Sequence, residues 1–382
     1  MKIALSEAQE LARRTFQRFA KEEVAPHAEL VDREERIPRS VVEALAREGY
    51  LASGLPEEFG GRHADPIVRG LMHEALGYES ASIQGLVNVH HMATSALARW
   101  GTAAQKQAWL PRFTKGELLA AFALTEPNVG SDALVETTAE VDGDDYLLTG
   151  TKQWITCGAL ADVFVLFARV GDAPTAFLVP ADAEGFSRTP IQGILGCRGY
   201  MLARLVLDRC RIPKAHRIGT QGFGISHVMS AGLDNGRYNL AWSCVGQAQA
   251  CLDASLAYTD QRKQFGAPLK DFQLIQRLLT RMIVGVQSAR MLCWRAGHAR
   301  AERMHTASYE AMIAKYQAST VLNEVANQAL QIHGANGCGS EYPIQRYLRD
   351  ARIMEIIEGS TQMLEIMIAK LGSADAAASR SA

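Results

Sequence analysis

The hydrophobic pattern of this 382-residue chain changes its period twice, and that change limits the folds open to it. From Leu5 to Lys115 apolar residues recur at helical spacing, whereas short β-rich runs separated by Gly, Pro and Asp fill Leu118 to Leu207. From about Phe223 long helical patterns return, and one repeats apolar residues at steps of three and four from Phe272 to Cys293. The sequence therefore predicts an α+β protein with an N-terminal helical domain, a middle β-barrel or sandwich domain and a C-terminal four-helix bundle.

We expect these domains at residues 1–117, 118–219 and 220–372, followed by a flexible tail of small residues at 373–382. The predicted strands are Leu118–Thr125, Ala133–Val141, Tyr146–Thr156, Val163–Val170, Thr175–Pro180 and Leu202–Leu207. The predicted helices include an amphipathic one opening at Ser6, then Ser40–Glu48, Pro66–Tyr78, Ser82–Trp100, Ala103–Phe113 and a buried one at Asn239–Tyr258.

Charge and cysteine content exclude several classes of protein. Forty basic and forty-one acidic residues give a net charge of −1, so there is no electrostatic reason to expect binding to nucleic acid or to an anionic membrane. No apolar run approaches the roughly 20 residues of a membrane span. Seven cysteines without a Cys-x-x-Cys pair indicate core residues, with neither a disulfide framework nor a metal site. We expect a cytoplasmic protein with no metal and no membrane partner.

One carboxylate near the C-terminus is placed for proton abstraction. Glu358 follows Ile356-Ile357 and precedes Gly359, at a break between two helical stretches. Burial among isoleucines raises the pKa of a carboxyl and makes the carboxylate a stronger base. The alternative is an exposed glutamate at a helix end, which is what composition alone favours.

Three segments carry residue types suited to an acceptor-rich cofactor. Phe122–Asp132 ends in a Gly-Ser-Asp turn that offers backbone N–H groups and hydroxyls, and Gly150–Thr156 contains Trp154 between threonines. Asp260–Gly266 supplies Arg262, a guanidinium suited to bidentate contact with a pyrophosphate. Taken singly, these segments fit an ordinary turn pair, a strand with a core tryptophan and a solvated arginine.

Taken together, and in this order, the segments and Glu358 resemble the acyl-CoA dehydrogenase family over essentially the whole chain. The resemblance implies that FAD is bound, with Thr125 and Ser131 donating hydrogen bonds to it, Trp154 covering the flavin ring and Thr156 at its reactive edge. The cofactor-binding residues that it implies in the β domain are Phe122, Leu124, Thr125, Gly130, Ser131, Trp154, Ile155 and Thr156. The chain departs from the family pattern at Val129, Cys157, Ala335, Cys338 and Ser360.

The remaining cofactor residues imply more than one subunit. In relatives the segment around Arg262 reaches the FAD of a neighbouring subunit, and Gln331–Gly337 resembles the loop that closes over the FAD diphosphate or ribose. The resemblance therefore implies a homo-oligomer, a dimer or a tetramer. The residues that it implies in the helical domain are Arg262, Phe265, Gln273, Gln331, Gly334, Ala335, Ser360, Thr361 and Gln362.

In this family the glutamate of the Glu-Gly-Thr motif removes the α-proton of an acyl thioester while flavin N5 accepts the β-hydride. The resemblance makes Glu358 that base and places Ser131, Asp234 and Arg237 at the substrate. Arg237 is alternatively a salt-bridge residue at a helix start, and we interpret Arg349-Asp350 as a structural ion pair. A helix near the substrate channel would place His90 or His91 beside the acyl group, but we favour plain helix residues.

The acyl group is the open question. Gly196–Tyr200, Ala241–Gly246 and Met354–Ser360 look closest to the dehydrogenases of the hydroxymalonyl and methoxymalonyl extender-unit route of polyketide synthesis. These act on a short oxygenated acyl group held by an acyl carrier protein, so the resemblance implies oxidation of a hydroxylated three-carbon thioester. A basic cluster suits an acidic carrier protein or the phosphates of CoA equally. This basic cluster consists of Arg198, Arg204, Arg209, Arg211, Lys214, His216 and Arg217.

Three functions compete at this point. The first is an FAD-dependent dehydrogenase of an acyl thioester, on a carrier protein or on CoA, that passes electrons to an electron-transfer flavoprotein or a similar acceptor. The second is an oxygen-using flavoenzyme of the same fold, where Glu358 argues against a monooxygenase but leaves an acyl-CoA oxidase open. The third is a scaffold without catalysis, which the intact cofactor and base motifs disfavour.

Overall fold

The computed structural model describes the backbone of residues 4–381 and the side chains of residues 4–373. Six helices come first, and six more follow the β domain. The helices are α1 Glu7–Phe19, α2 Ala28–Glu34, α3 Arg39–Arg47, α4 Pro66–Glu79, α5 Ala81–Trp100, α6 Ala103–Thr114, α7 Ser230–Gln261, α8 Gln273–Ala301, α9 Ala307–His333, α10 Ala335–Cys338, α11 Ile344–Met354 and α12 Thr361–Ser381.

Eight strands between α6 and α7 form one sheet, and two short strands form a hairpin after α7. The strands are β1 Ala120–Ala123, β2 Thr138–Asp142, β3 Asp145–Ile155, β4 Val163–Val170, β5 Ala173–Pro180, β6 Phe186–Pro190, β7 Ala203–Pro213, β8 Arg217–Ile218, β9 Lys263–Gln264 and β10 Ala267–Pro268. The sheet has the order β6-β7-β3-β2-β4-β5-β8, and β1 pairs with β4 in parallel. This arrangement has the predicted order of helices, sheet and helices.

The structure differs from the prediction mainly at strands that have few apolar side chains. Strand β2 begins at Thr138, so the first half of the predicted Ala133–Val141 strand is a loop. Strands β6 and β8 were missed, because β6 is a largely exposed edge strand without apolar alternation. Strand β7 continues to Pro213, well beyond the predicted end, because its exposed Arg and Asp side chains hide the alternation.

The N-terminal helix begins as predicted. Ser6 accepts a hydrogen bond from the Gln9 backbone N–H, and the Gln9 side chain accepts one from the Ser6 N–H. This capping box satisfies two donors that the helix itself cannot pair.

Close helix contacts bring α4 and α5 against α7, which is buried on most of its faces. A Cβ added at Gly70 would lie 2.2 Å from the Trp242 ring, and one at Gly246 would lie 2.0 Å from the Glu74 carbonyl oxygen. Glycine is therefore required at both crossings. Helix α5 also packs on α7, and its Asn88 reaches Glu358 in the segment that joins α11 to α12.

The last helix, α12, continues through residue 381 and so crosses most of the segment for which the sequence predicts a flexible tail. The side chains of residues 374–382 and all of Ala382 lie outside the described residues. Within the described chain, no helix combines the length and the apolar character that crossing a membrane requires.

Candidate active site

Glu358 lies on a left-handed turn between α11 and α12. Its φ is 57° and that of Gly359 is 92°, and a glutamate in this region costs on the order of 1–3 kcal/mol. Two cations secure the turn through its backbone. Arg237 of α7 donates from Nε to the Glu358 carbonyl oxygen at 3.0 Å, and Lys315 of α9 donates from Nζ to the Gly359 carbonyl oxygen at 2.9 Å.

The Glu358 carboxylate itself is almost without partners. Asn88 of α5 donates from Nδ2 to Oε1 at 3.4 Å, while Oε2 is buried and has no partner among the described residues. A Cβ on Gly236 would lie 2.5 Å from Oε2, so only glycine leaves room for the carboxylate. Burial raises the pKa of Glu358 to about 7, against the attraction of Arg237 and Lys315. A carboxyl with this pKa exchanges protons readily near neutral pH.

The sequence did not identify three residues of this site. Lys315 is fully buried although it is a lysine, and burial lowers its pKa to about 8. Asn88 carries no motif of its own, and Gly236 belongs to the Leu233–Arg237 segment that resembles the thioester site of the family but was given no role there. Lysine inside an otherwise apolar stretch of α9 was the available signal, because an unpaired buried lysine is rare.

The two cofactor segments predicted in the β domain lie side by side. The Gln153 N–H donates to the Thr125 carbonyl oxygen at 2.9 Å. Next to this bond, the pairing of β3 with β7 shifts register between Lys152 and Ile155. At this bulge Trp154 has a φ of 60° and its side chain is 52% exposed. A bulge re-aims a side chain out of its strand, so the tryptophan faces outward beside the Thr125 segment.

A buried ion pair between Lys152 and Glu126 holds the Thr125 segment in place. Lys152 and Glu126 are 0% and 3% exposed, and Lys152 Nζ lies 2.6 Å from Glu126 Oε1. Lys152 also donates to the Leu124 carbonyl oxygen at 3.1 Å. The lysine therefore ties the two cofactor segments together, a role that the motifs alone did not reveal.

The predicted cofactor residues of the helical domain fall into two groups: Ser360, Thr361 and Gln362 directly follow the Glu358 turn, and the others lie where α7 and α9 end and α8 begins. Arg262 and Phe265 are exposed on the β9–β10 hairpin, and Phe265 is 96% exposed. The loop after α9 packs on the same end, because Asn336 donates to the Tyr258 hydroxyl at 2.9 Å and His333 stacks on the Tyr258 ring. None of the hydrogen bonds in the described chain joins this set to the β-domain set.

The residues fit FAD in the β domain. Thr125 and Thr156 keep part of their side chains accessible, and Gly130 and Ser131 are exposed. A Cβ on Gly130 would meet no atom within 4 Å, so a ligand has room to approach the backbone. Phe122 and Ile155, the buried members of this predicted set, belong to two different hydrophobic clusters of the core.

Other predicted residues are engaged within the protein. Asp234 forms an ion pair with Arg300 at 2.8 Å. Thr361 donates its hydroxyl to Glu355 Oε2 at 3.0 Å, and Ser360 accepts from the Met363 N–H at 3.4 Å. Besides Arg262 and Phe265, the exposed residues of the predicted cofactor set in the helical domain are Gln273, Gln331, Gly334, Ala335 and Gln362.

The predicted Arg349-Asp350 ion pair is wrong. Arg349 forms a bidentate pair with Asp32 of α2, at 2.6 Å and 3.0 Å. The Asp350 carboxylate instead accepts from the Cys197 N–H at 2.5 Å. Adjacent residues on a helix point in different directions, so the two side chains meet different neighbours.

The basic cluster is not one free surface. Arg198 is paired with Glu35, and Arg211 contacts both Asp142 and Asp145 at 2.8 Å. These carboxylates offset much of the positive charge with which an acidic carrier protein or the phosphates of CoA would interact.

Two cavities in the described part of the chain lie away from Glu358. The larger, about 580 Å³, is lined by residues of α1, α4, α7 and α8, including Glu74, Tyr78, Arg290 and Trp294. The smaller, about 340 Å³, lies between α1 and α4. Neither contains a predicted site residue.

Comparison with known proteins identifies the family. The N-terminal, middle and C-terminal domain models of acyl-CoA dehydrogenase match residues 6–117, 121–210 and 222–372. The mitochondrial short-chain specific acyl-CoA dehydrogenase of Mus musculus is 37% identical over 374 residues, which cover 96% of this chain and 90% of that protein.

Two solved structures share the fold. Butyryl-CoA dehydrogenase from Megasphaera elsdenii superposes with a TM-score of 0.93 at 29% identity, covering 97% of this chain and 99% of that one. FkbI, which serves biosynthesis of the methoxymalonyl extender unit of the Fk520 polyketide immunosuppressant, has a TM-score of 0.87 at 29% identity, covering 95% and 99%. Such proteins are FAD-dependent oxidoreductases. The chain belongs to the acyl-CoA dehydrogenase family.

Proposed function

We propose that this protein oxidises a short acyl thioester, with Glu358 as the base that removes the α-proton. The observation that carries the proposal is the buried, unpartnered Oε2 of Glu358 on a turn secured by Arg237 and Lys315. The proton moves from the α-carbon to this carboxylate, and the β-carbon gives up a hydride. FAD supplies the hydride acceptor when bound.

The chain's own residues prepare that step. Desolvation keeps the carboxylate basic. The hydrogen bonds from Arg237 and Lys315 to the backbone of the turn restrict the movement of Glu358. Thr125, Ser131, Trp154 and Thr156 would hold the flavin against the sheet. Asp234, engaged with Arg300, acts in this proposal by holding the α7 backbone, whereas Ser131 is exposed and free to contact the thioester.

The test is anaerobic visible absorbance of the purified flavoprotein on addition of butyryl-CoA or of the same acyl group on a holo carrier protein. We expect bleaching of the flavin by the wild type and a loss of at least about 1,000-fold in its rate in Glu358→Gln. Glu365→Gln, an exposed carboxylate on α12, is the matched control and should bleach normally. Bleaching at the wild-type rate in Glu358→Gln would contradict the role of the base.

The two thioester carriers are separate candidates. The similarity to the Mus musculus and Megasphaera elsdenii proteins supports CoA, whereas the similarity to FkbI supports an acyl carrier protein in polyketide extender-unit synthesis. Bleaching confined to one carrier decides between them. We further propose an electron-transfer flavoprotein as the acceptor; rapid reoxidation of the reduced enzyme by oxygen would instead indicate an oxidase.

We also propose a homo-oligomer, a dimer or a tetramer. It is supported by Phe265, which is 96% exposed on the β9–β10 hairpin beside Arg262 and so presents an aromatic ring for a partner to cover. Light scattering of the wild type and of Phe265→Ser measures this directly, and a monomeric wild type would contradict it.

A further inference from the structure

Arg69, on α4, is a charged side chain without a counter-ion. Its Nε is buried without a partner, and among the described residues Arg69 forms neither a salt bridge nor a side-chain hydrogen bond. Burial and the neighbouring Arg300 lower its pKa to about 10, so the guanidinium still carries its charge at neutral pH. A largely desolvated cation that lacks a partner is unfavourable.

The acidic groups near Arg69 are used elsewhere. Asp65 caps α4, where its Oδ1 accepts from two backbone N–H groups of the first turn at 2.9 Å and 3.1 Å. Asp234 pairs with Arg300 at 2.8 Å. Arg69 and Arg300 both lie over the Tyr238 ring, at 5.5 Å and 4.6 Å from its centroid. Stacking on a ring favours the charge but uses none of the five N–H donors of a guanidinium.

Arg69 lines the cavity of about 340 Å³ between α1 and α4. Ser53 lines it as well; this side chain is 4% exposed, and its Oγ is buried without a partner among the described residues. A Cβ on Gly54 would lie 2.6 Å from Arg69 Nη1, so the guanidinium packs directly on the backbone next to Ser53. Arg62 and Glu48 are the other charged residues of the lining, which therefore carries a net positive charge.

The cavity also has an apolar wall, which includes Leu11, Ala12, Phe16, Val68 and Met72. A guanidinium presents its N–H groups in a fixed fork that matches a carboxylate bidentately. An inorganic anion would gain nothing from the apolar wall, whereas a carboxylate with a short alkyl chain uses the wall and the donors together.

We propose that this cavity is a second ligand site, which binds a small carboxylate with a short apolar chain through Arg69 and Ser53. The site goes beyond the proposed function, because neither Glu358 nor a predicted cofactor residue lines it. A bound carboxylate supplies the counter-charge that Arg69 lacks.

The test is isothermal titration calorimetry of the purified flavoprotein at constant ionic strength, with sodium butyrate, sodium acetate, butyramide and inorganic phosphate as separate probes. We expect butyrate to bind with a Kd of about 1 mM or lower. Acetate should bind about tenfold more weakly, because it buries two fewer carbon groups. Butyramide, which has the same shape without the charge, should also bind at least about tenfold more weakly.

Thermal unfolding is the second readout, because a ligand of the folded state raises the unfolding midpoint. Butyrate that produces neither a heat of binding nor a raised midpoint overturns the site. Phosphate or butyramide that binds as tightly as butyrate overturns the choice of a carboxylate with an apolar chain.

A variant locates the bound carboxylate. Arg69→Gln removes the charge and should weaken butyrate binding by about tenfold or more. The matched control is Arg14→Gln, since Arg14 is an exposed arginine on α1 that lines neither of the two cavities. It should bind butyrate like the wild type, and an equal Kd in Arg69→Gln and the wild type overturns the site.

Ser53→Ala is the second variant and keeps the proposal testable if Arg69→Gln does not fold. The loss of one hydroxyl donor should weaken butyrate binding by about fivefold and leave the weak binding of butyramide unchanged. Where Arg69→Gln is not obtained, a wild-type Kd for butyrate in Ser53→Ala overturns the site.

Discussion

The β domain and the C-terminal helical domain each withdraw a glutamate carboxylate from solvent, and the carboxylates of Glu126 and Glu358 have opposite surroundings. Glu126, in the β domain, accepts hydrogen bonds from Lys152 at 2.6 Å, from the Thr137 hydroxyl at 2.6 Å and from the Glu136 N–H at 2.7 Å. These partners outweigh desolvation and hold the pKa of Glu126 below its ordinary value. Its charge is permanent at neutral pH, and its role is structural.

Glu358 also has two cations nearby, but both donate to backbone carbonyls and neither reaches its carboxylate. Desolvation therefore dominates, and the pKa of Glu358 rises to about 7. The difference shows that the atom to which a neighbouring cation donates decides whether a buried glutamate is a structural anion or a base. Lys152 donates to the Glu126 carboxylate as well as to the Leu124 carbonyl oxygen, whereas Lys315 donates to the Gly359 carbonyl oxygen and makes no hydrogen bond to the Glu358 carboxylate among the described residues.

The largest expected effect comes from breaking the structural pair. Glu126→Gln leaves Lys152 buried and charged without its counter-ion, so we expect a loss of about 3–5 kcal/mol in stability together with weaker FAD retention. Thermal unfolding of the flavoprotein and its flavin-to-protein absorbance ratio measure both. The double variant Glu126→Gln/Lys152→Met should recover part of the loss, whereas a wild-type unfolding midpoint in the single variant would contradict the assignment.

The next largest expected effect is the pH dependence of flavin reduction, which distinguishes Glu358 from Glu126. The base must be ionised, so flavin reduction by a thioester should rise about tenfold per pH unit below pH 7 and level off above it. Glu126, with its lowered pKa, stays ionised over this range and contributes no step. Stopped-flow bleaching from pH 5.5 to pH 9 measures the profile, and a flat profile would contradict the raised pKa of Glu358.

The sequence indicated a desolvated carboxylate at Glu358 because that property rests on local residue type, whereas the roles of Glu358 as base and of the cofactor segments follow from the family resemblance and stay predictions. Isoleucines beside Glu358 indicate burial, and a glycine after it indicates the turn. It did not predict Asn88 or Lys315, because their contacts join residues far apart in the chain. The same limit explains the error at Arg349: its partner Asp32 lies on α2, and no local pattern connects them.

The main features of the fold were also predicted from local patterns, and the errors again lie where no local pattern exists. The change from helical to β period and back gave the domain order, since periodicity follows directly from which face is buried. Strand β6 escaped because an exposed edge strand buries little, and β7 was cut short because arginines occupy its outward face. The parallel pairing of β1 with β4 depends on the tertiary fold and has no local signal.

Substitution of Glu358 and substitution of Glu126 are expected to change the free energy of unfolding in opposite directions. Glu358→Gln removes an unpartnered buried carboxylate, so at pH 8 we expect it to gain about 1–2 kcal/mol, where Glu126→Gln loses stability. The wild type loses stability as pH rises from the ordinary carboxyl value towards about 7, because the folded carboxyl resists ionisation. The gain should therefore vanish near pH 4.5. Thermal unfolding at both pH values tests it, and a gain of the same size at both would exclude ionisation as the cause.

The smallest effect isolates Lys315, whose charge and hydrogen bond are separable. Lys315→Gln keeps a donor for the Gly359 carbonyl oxygen but removes the cation that helps to ionise Glu358. Arg237 of α7 remains as the other charge facing the carboxylate, so we expect the bleaching profile to move to higher pH and the rate at pH 7 to fall by about fivefold. At pH 9 Lys315→Gln should approach the wild-type rate.

Lys315→Met removes the donor as well and frees the left-handed turn, so its rate should stay low even at pH 9. If the two variants have the same profile, the lysine acts by one route only, and its hydrogen bond to the turn contributes nothing to placing the base. If instead they differ as expected, the main-chain contact of Lys315 and its charge are both part of what separates Glu358 from Glu126. A clamp on the backbone can then position a catalytic carboxylate without neutralising it.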